Sequence, residues 1–298
     1  MIVRDRPSAW RLFFILRGSI LPRIKWQLIA TISLAVVVTA LHGRLFDTLM
    51  TLTPIPFSLI GLALAIFLGF RNSAAYDRWW EGRKLWGELL IRTRTLTRLL
   101  LNHGGDPEAA RRLIAFAYAL KHGLRGTPDT DAPRFLPAGE GAALLRTSNP
   151  ADTILRGVSA AIARGAAEGR IAPMMAAEME HNVTALAGVQ AGCERIRSTP
   201  LPFAYTLMLH RTAYLYCLML PFGLVESIGL PTPLVVGLIA YTFFGLDALG
   251  DEIEEPFGML PNDLPLGALC KRAEIDVREA LGDTDLPTMP QPEGYCLM

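Results

Sequence analysis

The sequence predicts an all-α integral membrane protein, with four membrane-spanning helices and a helical domain inserted between the second and the third. Three observations carry this. Half of the 298 residues are apolar (51%) and the mean hydropathy is positive, more than a soluble chain usually shows. Four stretches approach the roughly 20 apolar residues that a helix needs to cross a hydrocarbon core about 30 Å thick. The central region keeps an apolar period near 3.6, and no segment alternates as a strand does.

The stretches are residues 26–46, 56–70, 203–225 and 231–250. None is uniformly apolar. His42 and Arg44 lie near the end of the first, where long side chains reach the interface by snorkelling. His210 and Arg211 lie nearer the middle of the third, where ionisable groups either face a bundle interior or a water-filled path, or escape to the interface. Asp247 closes the fourth.

Orientation follows from the basic residues. Arg4, Arg6, Arg11, Arg17, Arg23 and Lys25 precede the first span, and Arg71, Arg78, Arg83 and Lys84 follow the second. The positive-inside rule then places both termini and the region 71–202 in the cytoplasm. Residues 1–25 form a cytosolic amphipathic segment, 26–70 and 203–250 hold the paired spans, and 251–281 return to the cytosol. Arg17 interrupts the N-terminal apolar run and no small-residue cleavage site follows, so this end reads as mature protein.

The inserted domain is helical throughout. Residues 74–101 space Tyr76, Trp79, Trp80, Leu85, Trp86, Leu89, Leu90 and Leu96 on a helical period without a proline. Asp106 and Pro107 have the residue types of an N-cap and first helical position, opening a helix to about Leu124. "GTPDTDAPRFLPAGEG" is a loop by its Gly, Pro and Asp content. Asn149-Pro150 starts a helix near 151–168, and residues 172–198 supply another. A short helix is expected near 264–281, and 282–298 as a disordered tail.

A net charge of +1 points to no nucleic-acid surface or acidic partner. Cys193, Cys217, Cys270 and Cys296 are widely spaced, which suits reduced or buried thiols better than a disulfide framework. The central region carries no nucleotide loop, no recognisable Ser/His/Asp motif and no Cys/His cluster at zinc spacing.

"RGSI" (17–20), "FLGFRNSAAYDRWWEGRKLWGELL" (67–90), "TPLPFAYTLMLHR" (199–211) and "PFG" (256–258) occur in this order. Together they resemble the bestrophin family in its short prokaryotic form, over about residues 10–270. The resemblance implies a homopentameric ion channel in a bacterial plasma membrane, with one axial pore and a helical cytosolic vestibule. It implies no cofactor, and as partners the other subunits, lipid and small monovalent ions.

Carried over from the Arg-Trp-Trp, the family's apolar neck falls on Leu62, Ile66 and Phe70, with Leu62 standing where a β-branched residue is expected. Their i, i+4, i+8 spacing independently makes one helical stripe, and five copies would stack three apolar rings able to gate by dewetting. Sequence alone does not choose which face of the helix is turned to a pore. Gly61, Ala63, Ala65 and Gly69 offer close approach to neighbouring helices. Asn72 and Ser73 are candidates for polar contacts to an ion just below the neck.

Asp247, Asp251, Glu254 and Glu255 make an acidic face that is expected to pair with Arg71 and Arg78. Animal bestrophins bind calcium in an acidic run after their Pro-Phe-Gly; here "MLPNDLPL" offers only Asp263, fewer oxygens than a hard cation needs. "EMEH" (178–181) reads as a solvated helix face. The family's cytosolic exit constriction maps to Met174 or Ala177, depending on the landmark used. The resemblance implies monovalent cations, as in prokaryotic members, or chloride and other anions, as in animal ones; five copies of an acidic inner face tilt the expectation to sodium and potassium, with anions as the alternative. A membrane-anchored scaffold, or an enzyme with its site in the helical domain, are the readings from other classes.

Overall fold

The computed structural model describes residues 1–297 except 5–7, 9, 12–13, 16–17, 42–43, 46–47, 50–52 and 145, and leaves out the side chains of 44, 45, 48, 49 and 54. His42, Arg6 and Arg17 therefore lie outside the described residues, as does the side chain of Arg44. Nine α-helices are described: α1 (Leu21–Ala40), α2 (Pro54–Asn102), α3 (Pro107–Arg125), α4 (Glu140–Leu144), α5 (Pro150–Ala167), α6 (Pro173–Ser198), α7 (Phe203–Ile228), α8 (Thr232–Glu254) and α9 (Leu266–Ala280). The only strands among these residues are β1 (Arg44–Leu45) and β2 (Thr48–Leu49), paired antiparallel between α1 and α2.

The second span and the helix expected at 74–101 are one element. α2 runs for 49 residues, more than twice the roughly 20 that cross a bilayer. With no proline after Pro56, nothing in the sequence breaks its hydrogen-bond ladder. The chain divides into two compact units, and one boundary falls inside α2 between Arg78 and Trp79.

One unit comprises residues 5–78 and 200–254. Here α1 packs on α7 and α8, and α7 on α8. Its cores join Leu64 and Leu68 of α2 to Leu209, Ala213 and Cys217 of α7 and Phe243 and Phe244 of α8. Two glycines let α2 and α7 approach. A Cβ on Gly61 would lie 2.6 Å from the Tyr216 hydroxyl, and one on Gly223 2.6 Å from the Phe57 ring. Of the small residues expected to serve this purpose, Gly61 does so within the chain, whereas Gly69 has nothing within 4 Å. Three described helices are long and apolar enough to cross a membrane: α1, α2 and α8. The third expected span folds as the 26-residue α7, but it is not among them; it carries His210, Arg211 and Glu226.

The other unit comprises residues 1–4, 79–199 and 255–298. Asp106 caps α3 by accepting from the Glu108 amide, and Asn149 caps α5 by accepting from Asp152, so both proline-marked starts take the form their residues dictate. Trp86, Leu89, Leu96 and Leu100 of α2 enter a core with nearly the whole of α3 and the inner faces of α5, α6 and α9. Of the tryptophans in that run, Trp86 is fully buried, Trp79 half-buried and Trp80 exposed. The loop at 126–141 contains a 3-10 turn, Ala132–Phe135, and the start of α4.

Within the C-terminal stretch expected to be disordered, Tyr295 and Leu297 meet the N-terminal residues. Val3 donates to the Tyr295 carbonyl at 2.8 Å, Leu297 donates to Met1 at 2.8 Å, and the Arg4 guanidinium lies 4.3 Å over the Tyr295 ring. Backbone hydrogen bonds and a cation–π contact thus hold a segment whose composition alone gives it no reason to order.

Candidate functional site

On the apolar half of α2, Phe57, Leu64, Leu68, Arg71 and Ala75 are buried. Leu62, Ile66 and Phe70 are 62%, 48% and 63% exposed. At about 100° per residue the two sets are centred about 180° apart. The helix therefore meets its own chain along one edge and turns the Leu62–Ile66–Phe70 stripe directly away from it. Ser73 is exposed on the continuation of that stripe. Asn72 is turned back, and its amide donates to the Leu246 carbonyl at 3.0 Å.

Immediately below Phe70, the buried edge becomes charged. Arg71 is fully buried and donates to Asp247 at 2.9 Å, to the Asp247 carbonyl at 3.2 Å and to the Asp251 carboxylate. Glu254 stands 3.7 Å from the same guanidinium. His210 Nδ1 meets the other Asp247 oxygen at 2.7 Å. Arg78 donates to the Glu254 carbonyl at 3.1 Å, and Glu254 accepts from the Leu201 amide at 2.9 Å. Burial makes each charge costly alone, so the cation and carboxylates hold one another in place.

Three of the four acidic-face residues are thus joined to Arg71. Glu255 lies just past the helix end and is exposed. Sequence reasoning missed Glu252, buried and 4.0 Å from Arg23, and did not assign His210 its partner. The i+5 step from Asp247 to Glu252 falls off the acidic stripe, which is why the spacing hid it.

In the other unit, the Pro-Phe-Gly segment is pinned on three sides. The Phe257 ring would lie 3.0 Å from a Cβ on Gly82 of α2. Trp79 donates its indole N–H to the Asn262 carbonyl at 3.0 Å, and Arg125 Nε donates to the Phe257 carbonyl at 3.4 Å. Asp263 is buried and accepts from the Leu260 amide at 2.6 Å, closing its own loop. Among the described residues, no group of three His, Cys, Asp or Glu is placed to hold a metal ion. On α6, Met174 is 82% exposed and Ala177 and His181 are exposed. Met179, Val183 and Leu186 face the core, so both constriction candidates lie on the outer face of α6. Glu180 accepts from Ser159 at 2.6 Å, and Glu178 from Asn182 at 3.2 Å.

Apolar helices of membrane length and an uncovered apolar stripe define a helical membrane protein. A family profile described as bacterial/fungal bestrophin protein matches residues 1–279. A voltage-dependent anion channel-forming protein of Mesorhizobium japonicum is 45% identical over 99% of this chain and 97% of its own length. The voltage-dependent anion channel-forming protein YneE of Escherichia coli K12 is 39% identical over 99% of each. The crystal structure of a bacterial bestrophin homologue from Klebsiella pneumoniae superposes with a TM-score of 0.82 at 39% identity, covering 88% of this chain and 100% of that one. The chain belongs to the bestrophin family, whose members are ion channels and not enzymes.

Proposed function

We propose that this chain is the pore-forming subunit of a homopentameric anion channel in a bacterial inner membrane. One observation carries the reading: Leu62, Ile66 and Phe70 are exposed on the face of α2 opposite the one it packs. An apolar stripe pointing away from its own subunit becomes, in a closed ring of copies, a set of stacked apolar rings around the axis. Ser73 continues the lining below, and Met174 or Ala177 narrows the cytosolic exit. α1, α2, α7 and α8 supply four spans with both termini in the cytoplasm. The packing of α7 against α1 and α8 supports its place beside the three more apolar helices.

The choice of anions reverses the lean to sodium and potassium, which rested on the resemblance to prokaryotic members and on an acidic inner face. Asp247, Asp251 and Glu254 are engaged by Arg71 on the packed edge of α2, turned away from the stripe proposed to line the pore. Relatives over almost the full chain are named as anion channel-forming proteins.

The test is current through purified protein in planar bilayers under a sodium chloride gradient. A reversal potential near that of chloride is expected, and Ile66→Ala with Phe70→Ala should raise the current or loosen its gating. A reversal potential near that of sodium would overturn the anion assignment; silence in wild type and variant would overturn the channel.

A further inference from the structure

Arg211 of α7 makes no ion pair or hydrogen bond with any described residue. It borders a cleft of about 350 Å³ whose other walls are Phe57 and Ile60 of α2 and Thr212, Leu215, Tyr216 and Met219 of α7. No acidic residue lines this cleft. Thr212 spends its hydroxyl hydrogen on the Met208 carbonyl at 2.8 Å. The Tyr216 ring is held against Phe57 and Phe243, with centroids 6.1 Å and 5.3 Å away, and its hydroxyl has no hydrogen-bond partner among the described residues. An unpaired guanidinium thus borders an otherwise apolar cavity, within the size range of small-molecule sites.

The cleft is not part of the proposed neck. Ile60 precedes Leu62 by two residues and therefore stands about 160° around α2 from it, and Phe57 lies on the packed edge. An arginine on a membrane helix is costly unless an anion meets it. An apolar cavity beside a lone cation fits a molecule with a chain at one end and a negative charge at the other.

The geometry points to this cleft as a binding site for an anionic membrane lipid, its acyl chain between α2 and α7 and its phosphate on Arg211. Arginine matches phosphate by two parallel N–H donors, and anionic lipids gather at basic pockets between membrane helices. The inference rests on the reading that α7 lies in the membrane; it does not need the pore to conduct.

The experiment is native mass spectrometry of the intact oligomer released from detergent, with phosphatidylglycerol or phosphatidylcholine of equal chain length added in steps. Wild type should retain phosphatidylglycerol in preference to phosphatidylcholine. Arg211→Gln should weaken phosphatidylglycerol about tenfold, the value of one charge-assisted contact, and leave phosphatidylcholine unchanged. Arg211→Lys should restore part of the preference, and Leu215→Trp, which fills the cleft, should weaken both lipids. Inorganic phosphate should not compete.

Equal retention by wild type and Arg211→Gln would overturn the site. Competition by inorganic phosphate would reduce it to a simple anion site. Loss of subunits from the oligomer in Arg211→Gln and Leu215→Trp without a change in lipid retention would show that a second copy covers the cleft, and would equally overturn it. Because mass is read rather than current, a silent channel that still selects phosphatidylglycerol would sink the channel reading and leave this one standing.

Discussion

Arg71 donates to Asp247 at 2.9 Å with both side chains buried, linking the residue just below Phe70 to the last turns of α8. Removing Arg71 leaves the buried Asp247 with His210 alone and takes the shared cation from Asp251 and Glu254. Arg71→Met is therefore expected to cost about 3–5 kcal/mol, and Asp247→Asn, which keeps an acceptor for the guanidinium, less. Thermal unfolding in detergent, followed through loss of oligomer, measures both. The Arg71→Met, Asp247→Leu double variant should recover only part of the loss, because it removes the buried carboxylate but leaves Asp251 and Glu254 without their cation.

Gly223 stands against the Phe57 ring as Gly61 stands against Tyr216. Gly223→Ala should destabilise by about 1–3 kcal/mol, since a methyl group 2.6 Å from ring carbons forces the packing apart. Phe57→Ala should lose stability alone but relieve the alanine at 223, so the two changes should be strongly non-additive. An additive pair in the unfolding measurement would show that α2 and α7 do not meet here.

Glu274 is nearly buried, and burial by itself would raise its pKa. Hydrogen bonds from Lys271, Tyr118 and Arg278 outweigh that and hold it below the ordinary glutamate range. A depressed carboxylate contributes its stability above its unfolded value, about 4.3, and loses it as pH falls towards the folded one. Wild type should therefore lose stability on acidification below that point, and Glu274→Gln should lose less over the same interval while starting lower at neutral pH. Unfolding midpoints from pH 7 to pH 3 compare the two. Identical slopes would mean that the cluster around Tyr118 carries no part of the acid sensitivity.

The thiols divide by environment. Burial pushes Cys193 and Cys270 up to about 12, and Cys270 also donates to the Ala117 carbonyl at 3.3 Å. Cys296 is only half-buried. A maleimide at pH 7.5 should label Cys296 in the native protein and reach Cys193 and Cys270 only on unfolding, because the thiolate is the reacting species. Peptide mass mapping separates the sites. Fast labelling of Cys270 would contradict the packing of α9 on α3.

How far the sequence could be read depends on the range of the interaction. Asp106-Pro107 and Asn149-Pro150 announced helix starts because a cap is settled within three residues. The unbroken α2 was legible for the same local reason, the lack of any residue that ends a helix. The edge on which α2 packs was not, because Gly61 and Gly223 receive aromatic rings from residues more than 150 positions away. The ordering of the tail by residues 1–4 is likewise a contact between opposite ends of the chain, invisible to composition. Arg71 was recognisable as a partner for the acidic face, but its full burial, the turn of Asn72 towards Leu246 and the engagement of His210 are tertiary facts.

The same engagement yields a test of what sets the permeant ion. If the α8 carboxylates acted on passing ions, neutralising them would move the reversal potential towards chloride. On the geometry found, Asp251 and Glu254 direct their charge at Arg71 on the packed edge of α2, away from the exposed Leu62–Ile66–Phe70 stripe. Asp251→Asn and Glu254→Gln should therefore lower the stability of the oligomer and leave the reversal potential under a sodium chloride gradient unchanged. Glu255→Gln is the control: this exposed residue is outside the Arg71 cluster, so its removal should leave stability unchanged. A shift of reversal potential with Asp251→Asn at unaltered stability would show the carboxylate to be free in the membrane, and would return the acidic face to the part of cation attractor.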